Sequence, residues 1–455
     1  MLLFMPFFGF SYTTHCLGMI LFAFVFIIAL TALLREMDFS YPFCAASVFS
    51  MVMCISASQK LREIFWGHII YYSQGILFLM IGMTVLFKIL KMYDNEIKTK
   101  GFYIISGILA LFVMLSATNG IQALTIFILP LIGGLLGEAL LNTDIKMSDK
   151  KMTFVFKYVI ILCVFVILGM ALINVLKGDV SGGYEDAYSK FSDSKKWLEN
   201  LNSILEKWFT LIGVDIADED DILSLKSIFN IIKIITGTIV PIIPLYMLFN
   251  YNKIESRKTR ILLIGHWCST AFILIGWIFD KISNANWRLS PVLCTSLIIY
   301  FVFCGNMIKD KKMFRIGVIF MIPLIVVALQ SALTIFALDN NYKGSDKAQA
   351  IKLIEKNGVD YGYGTFWNAN ALTVLSNDEV KVRNIQIVDG EIEEYNYQSF
   401  YSWYEDQENT DEYFILLTAG EYNELSESGN ELINQCVRAD RNSRYVLLIY
   451  DHNIF

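Results

Sequence analysis

Residues 153–176 read TFVFKYVIILCVFVILGMALINVL, a run with one charge in twenty-four residues. About 20 apolar residues wound as a helix cross the ~30 Å hydrocarbon layer of a bilayer. A helix this apolar on every face has no use in a water-soluble domain of ordinary size. Working outward, the same signature recurs at 16–34, 41–57, 73–90, 101–118, 121–141, 228–249, 261–280, 291–307 and 315–337. About ten membrane spans are therefore expected. The totals agree: 55% of the 455 residues are hydrophobic, 18% are charged, and the mean hydropathy is +0.50. The predicted fold class is a polytopic α-helical membrane bundle, residues 1–337, carrying a small extracytoplasmic α/β domain, residues 338–455.

Charge is sorted along the chain. Residues 338–455 hold 21 acidic against 9 basic side chains, and 177–226 hold 11 acidic against 6 lysines, so the remainder is basic. Lys/Arg clusters follow the third, fifth, seventh and ninth spans: Lys88, Lys91, Lys98 and Lys100; Lys146, Lys150 and Lys151; Lys253, Arg257, Lys258 and Arg260; Lys309, Lys311, Lys312 and Arg315. Basic residues in alternate short loops mark the cytoplasmic side, which places the C-terminal domain and both acidic blocks outside. The same count leaves residues 1–15 outside without a basic export signal, which points either to one further span upstream or to a span count off by one. No basic patch suited to nucleic acid is present. Seven of the eight cysteines sit in apolar segments and only Cys436 lies in the C-terminal domain, so no disulfide framework is expected. A thiol-poor exported domain suits a bacterial cell membrane.

Two further patterns are legible. Residues 195–212, KKWLENLNSILEKWFTLI, gather Trp197, Leu198, Leu201, Ile204, Leu205, Trp208 and Phe209 on one helical face, as an interfacial helix on the outer surface does. A shorter relative of this pattern occupies 59–72. The C-terminal segment alternates helix at 346–357, strand near 359–362, helix at 366–376, strands at 379–388, 412–418 and 444–450, and helix at 421–436, the mark of an α/β layer.

Candidate chemistry collects in the outer loops. Between spans two and three lie Glu63, a possible base, His68, able to orient or shuttle a proton, and the aromatics Tyr71 and Tyr72. The aromatics equally suit an interfacial belt. Between spans eight and nine, Trp287 precedes Arg288, whose fork of donors matches a lipid phosphate. Glu185 and Asp186 follow a Gly-rich segment, where paired carboxylates can act as a base or take a divalent cation. No metal-ligand spacing occurs. Inside the spans Glu138, His266 and Asp280 are the main ionisable residues, fewer than an ion-coupled transporter carries. In the C-terminal domain, DYGYGTFWNAN at 360–370 combines small residues that allow close backbone approach with Trp367, which can stack on a sugar. Residues Tyr395 to Tyr404 form a second aromatic cluster suited to the membrane surface or the bundle.

The stretches EIFWGHIIYY at 63–72, DYGYGTFWNANALTVLS at 360–376 and YVLLIYDHNIF at 445–455, with this architecture, resemble the GT-C superfamily of membrane glycosyltransferases. The likeness is greatest to the branch holding protein O-mannosyltransferases and aminoarabinose transferases. The resemblance implies transfer of a sugar from a polyprenyl-phosphate carrier to a cell-surface glycan, lipid or protein. A carboxylate in the first outer loop would act as base, and an arginine or a divalent cation would steady the leaving phosphate. Residues 1–15 contain no Asp or Glu, so that carboxylate has no counterpart here and no catalytic residue carries over. Two other roles follow from the same features: a non-catalytic protein of envelope glycan assembly, binding saccharide or a partner through its C-terminal domain, and a polysaccharide flippase or polymerase.

Overall fold

The computed structural model describes residues 3–68, 72–97, 99–142, 149–177, 192–216, 221, 223–338, 344–396, 399–408 and 410–455. The chain divides into two compact units, Phe22–Ala337 and Met1–Leu21 with Leu338–Phe455. Among the described residues nine helices are long and apolar enough to cross a membrane. They are α1 (Tyr12–Glu36), α4 (Tyr72–Asp94), α5 (Lys100–Ala117), α6 (Gly120–Leu141), α7 (Lys150–Lys177), α9 (Leu225–Phe249), α10 (Arg257–Ile278), α11 (Ser290–Lys309) and α12 (Phe314–Phe336). Such a set fits a multi-pass membrane protein.

The expected span at 41–57 is part of a sharply bent helix pair. Helix α2 (Tyr41–Cys54) stops, and the chain turns by 107° into α3 (Gln59–Arg62), which runs on as a π-turn over Glu63–Gly67. Ser58 makes the break: its hydroxyl accepts from the Leu61 amide, capping α3, and donates to Leu211 O at 2.6 Å. The division between α5 and α6 falls where it was predicted, at Gly120, whose φ of +65° bends the chain back.

Small residues let helix backbones approach closely inside the bundle. Helices α6 and α10 cross where Gly134 faces Gly265. A Cβ on Gly134 would stand 2.5 Å from Ile261 O, and one on Gly265 would stand 2.6 Å from Pro130 O. Among the described residues, Lys151, Arg257, Lys258, Arg260 and Lys309 of the basic clusters gather at one end of the bundle. There Arg257 bridges Glu138 (3.0 Å) and Asp94 (3.4 Å), Arg260 reaches Glu138 (3.4 Å), Lys258 pairs with Glu36 (3.1 Å) and Lys309 donates to Met37 O (2.9 Å). His266 is a core histidine, its Nδ1 2.7 Å from the Thr295 hydroxyl.

At the opposite end lies the amphipathic helix α8 (Ser194–Leu211). Leu198, Leu201 and Leu205 are exposed, while Asn200, Trp208 and Leu211 are buried. Asn200 fastens it: the side chain donates to Ile278 O (3.0 Å) and its carbonyl accepts from Trp277 Nε1 (2.9 Å). Trp208 donates to Gly237 O at 2.8 Å. The polar Asn200 is thus an anchor, not part of a solvated face.

The second unit holds a six-stranded sheet in the order β3-β2-β1-β4-β6-β5, made of β1 (Tyr361–Thr365), β2 (Lys381–Val388), β3 (Glu391–Glu394), β4 (Tyr413–Thr418), β5 (Arg438–Arg441) and β6 (Tyr445–Tyr450). Strands β2, β1 and β4 are mutually parallel and the outer pairings are antiparallel. Helices α13 (Asp346–Lys356) and α14 (Phe366–Leu375) share one apolar cluster with Val382, Phe414 and Leu447; α15 (Ala419–Ser428) shares another with Tyr363, Ile415 and Leu448. The sheet is therefore covered on both faces.

Two strands were not expected from sequence, β3 and β5. The helix expected over 421–436 stops at Gly429, left-handed at φ +76°, and resumes only as the turn Leu432–Gln435. The small residues of the 360–370 segment serve the sheet: a Cβ on Gly362 would stand 2.2 Å from Phe414 O. The second aromatic cluster serves its own unit as well. Tyr404 is buried, its ring 6.1 Å from that of Tyr363 in parallel, and Trp403 covers the Arg383 guanidinium at 4.7 Å; Phe400 and Tyr401 remain exposed.

Candidate functional site

The loops that follow α2 and α10 meet beside α8. Arg62 donates to Ser56 O (2.9 Å) and Trp66 Nε1 to the Ser56 hydroxyl (2.9 Å), while the Trp66 indole sits edge-on to Phe22 and Phe26. These contacts fix the π-turn, which the His68 amide closes on Glu63 O at 2.9 Å. The turn brings the predicted pair together: His68 Nε2 lies 3.7 Å from one Glu63 oxygen, and Lys60 Nζ lies 2.7 Å from the other. Both side chains of the pair stay about two-fifths exposed (Glu63 39%, His68 40%).

The second loop completes the group. Lys60 Nζ stands 5.0 Å over the Trp287 ring, a cation–π contact, and Arg288 donates to the Tyr72 hydroxyl (2.5 Å) and to the Ser283 hydroxyl (3.3 Å). Asn286 reaches the Thr210 hydroxyl of α8 at 3.5 Å, and Asn284 donates to Asn200 Oδ1 at 2.5 Å. Nearby, Lys233 donates to Gly213 O at 2.8 Å just past the end of α8. Lys60 and His68 thus flank the exposed Glu63 carboxylate, while Arg62, Lys233 and Arg288 are held by the Ser56 carbonyl, the Gly213 carbonyl and the Tyr72 hydroxyl at the same end of the bundle. Such a cluster can grip a phosphate through Lys and Arg and take a proton on Glu63.

The structure unites most of the expected residues but changes some roles. Glu63, His68, Tyr72, Trp287 and Arg288 share one end of the bundle. Tyr72 is 6% exposed and holds Arg288 rather than offering a face to a ligand. Trp287 covers a lysine. Tyr71, Glu185 and Asp186 lie outside the described residues. Trp367 belongs to the other unit, where it is 75% exposed. Lys60 and Lys233 were not anticipated; the spacing of Lys60 three residues before Glu63 on a helical turn was the available signal for the first. Among the described residues no three His, Cys, Asp or Glu side chains gather to hold a metal ion. No protein-family model, curated protein or solved structure matches the chain.

Proposed function

We propose that this protein spans the bacterial cell membrane with its Lys60–Arg288 end and C-terminal domain outside, and transfers a sugar from a polyprenyl-phosphate carrier to a cell-surface acceptor. The observation that carries the reading is the meeting of Lys60, Glu63 and His68 with Trp287 and Arg288 at the end of the bundle away from the basic clusters. The resemblance to GT-C glycosyltransferases supports the same chemistry, and the positive-inside rule supports the orientation.

In this reading α8 lies in the outer interface, with Leu198, Leu201 and Leu205 toward lipid. Arg288 and Lys60 hold the carrier phosphate. Glu63 takes the acceptor's proton as the acceptor oxygen or nitrogen bonds to the anomeric carbon. The bond from that carbon to the phosphate oxygen breaks, and the phosphate leaves with the electron pair, its charge met by Arg288.

The test uses the purified chain in vesicles containing polyprenyl-phosphate sugar and a mixed acceptor extract from the cell envelope. Transfer that falls at least about a hundredfold in Glu63→Gln and in Arg288→Ala supports the reading, since loss of a positioned acid–base group costs that much. Transfer unaffected by both variants overturns the assigned site. No transfer, with carrier still bound, favours the non-catalytic role in glycan assembly. Orientation is checked separately: an alkaline phosphatase fused after Phe455 is expected to be active, and an expressed but inactive fusion reverses it.

A further inference from the structure

Strands β1 and β4 lie side by side and parallel, with Gly364 opposite Leu416. From its end at Thr365, β1 continues into α14 on one face of the sheet. From Thr418, β4 continues into α15 on the other. The chain therefore departs in opposite directions from two neighbouring strand ends. In open α/β sheets this arrangement leaves a crevice outside the carboxyl ends of the strands, and ligands bind there.

The side chains around this crevice are not those of a neutral turn. Lys347, half-buried at the start of α13, donates to Trp367 O (3.0 Å) and to Asn368 Oδ1. Asn368 in turn donates to the Thr365 hydroxyl (3.1 Å) and accepts from the Tyr445 hydroxyl (3.3 Å). The nearby acids are occupied elsewhere: Asp346 pairs with Arg444, and Glu421 closes the capping box of Thr418. Among the described residues no carboxylate lies within ion-pair distance of Lys347. Burial, then the neighbouring Arg444, pushes the Lys347 ammonium below its ordinary range, against the weaker opposing pull of Asp346 and Glu421. A half-buried cation resting only on neutral acceptors is a place for an anion. Trp367, whose carbonyl Lys347 holds, is 75% exposed, its indole edge-on to Phe366.

We infer that the crevice between β1 and β4 binds a phosphate monoester carried on a ring, with Lys347 holding the phosphate and Trp367 stacking on the ring. A sugar phosphate and a nucleoside monophosphate share this chemistry, and the experiment separates them. Calorimetric titration of the full-length protein in detergent would use glucose 1-phosphate, uridine monophosphate, glucose and inorganic phosphate. Saturable binding of one ester is expected, at least about tenfold tighter than glucose or phosphate alone, a difference of about 1.4 kcal/mol. Lys347→Met and Trp367→Phe are each expected to weaken it by a similar factor. Lys347→Arg should retain it, and an unchanged melting curve for each variant would show that the sheet is intact. Absence of saturation by either ester up to about 10 mM, weaker than any useful affinity on this scale, overturns the inference. Equal affinity in wild type, Lys347→Met and Trp367→Phe overturns it as well. Inorganic phosphate binding as tightly as the esters overturns the role of Trp367.

Discussion

At the basic end of the bundle, the Glu138 carboxylate is wholly buried between Arg257 and Arg260, with Asn142 donating to it at 2.9 Å. At the opposite end, the Glu63 carboxylate has one lysine at 2.7 Å and a histidine at 3.7 Å and remains open to solvent. Both ends place a carboxylate among cations, yet they differ in what surrounds the charges. The first is closed by α6, α10 and the end of α4, so its charges have nothing to act on but each other. The second stands on loops, where partners can be exchanged. An enclosed ion pair holds structure together; an open one is available for binding.

The largest effect is expected from breaking the enclosed pair. Arg257→Ala removes contacts to both Glu138 and Asp94 and leaves a buried charge short of a partner, at a cost on the order of 3 kcal/mol. A thermal melt in detergent should show a midpoint several degrees lower, while the Lys60–Arg288 end keeps its ligand affinity per folded molecule. An unmoved midpoint would mean that Arg260 and Asn142 suffice to satisfy Glu138. Lys60→Ala sharpens the comparison from the other side. Its exposed pair contributes at most about 1 kcal/mol, so the melt should hardly change while carrier binding in vesicles weakens. A large loss of stability here would make the open end structural too.

The smallest effect concerns the sheet unit. Lys356, with Asn357, bonds to Asp440 and holds its carboxyl down at about 2, against an ordinary 3.8. Its folded value is depressed, so the contribution is present above pH ~4 and is lost as pH falls toward 2. Asp440→Asn should flatten that part of the acid-unfolding curve and leave the curve above pH 5 in place. An unchanged curve would show the pair to be without influence on folding.

Much of this architecture was legible because length and polarity act locally. Apolar runs gave nearly every helix of the bundle, and residues 379–388, 412–418 and 444–450 gave strands through their β-branched and aromatic alternation. Strands β3 and β5 were not legible. Their sequences, EIEE and RADR, lack an apolar face because they lie at the sheet edges, where charge guards against further pairing. The Asp389-Gly390 turn, both residues at positive φ, was the signal that β2 folds back into a hairpin.

The candidate site divides in the same way. Sequence alone determined that Glu63, His68 and Arg288 stand in loops on one side of a bundle, because span length and alternating loop charge fix which loops share a side. Only tertiary structure decided that Ser58 bonds to the end of α8, that Lys60 lies between Glu63 and Trp287, and that Tyr72 holds Arg288, because the contacts to Leu211, Trp287 and Arg288 join residues more than a hundred and fifty positions apart. The crevice between β1 and β4 belongs to the second kind: the sequence specified each strand, but the order of strands, and hence where the sheet opens, comes from packing between segments that no local pattern connects.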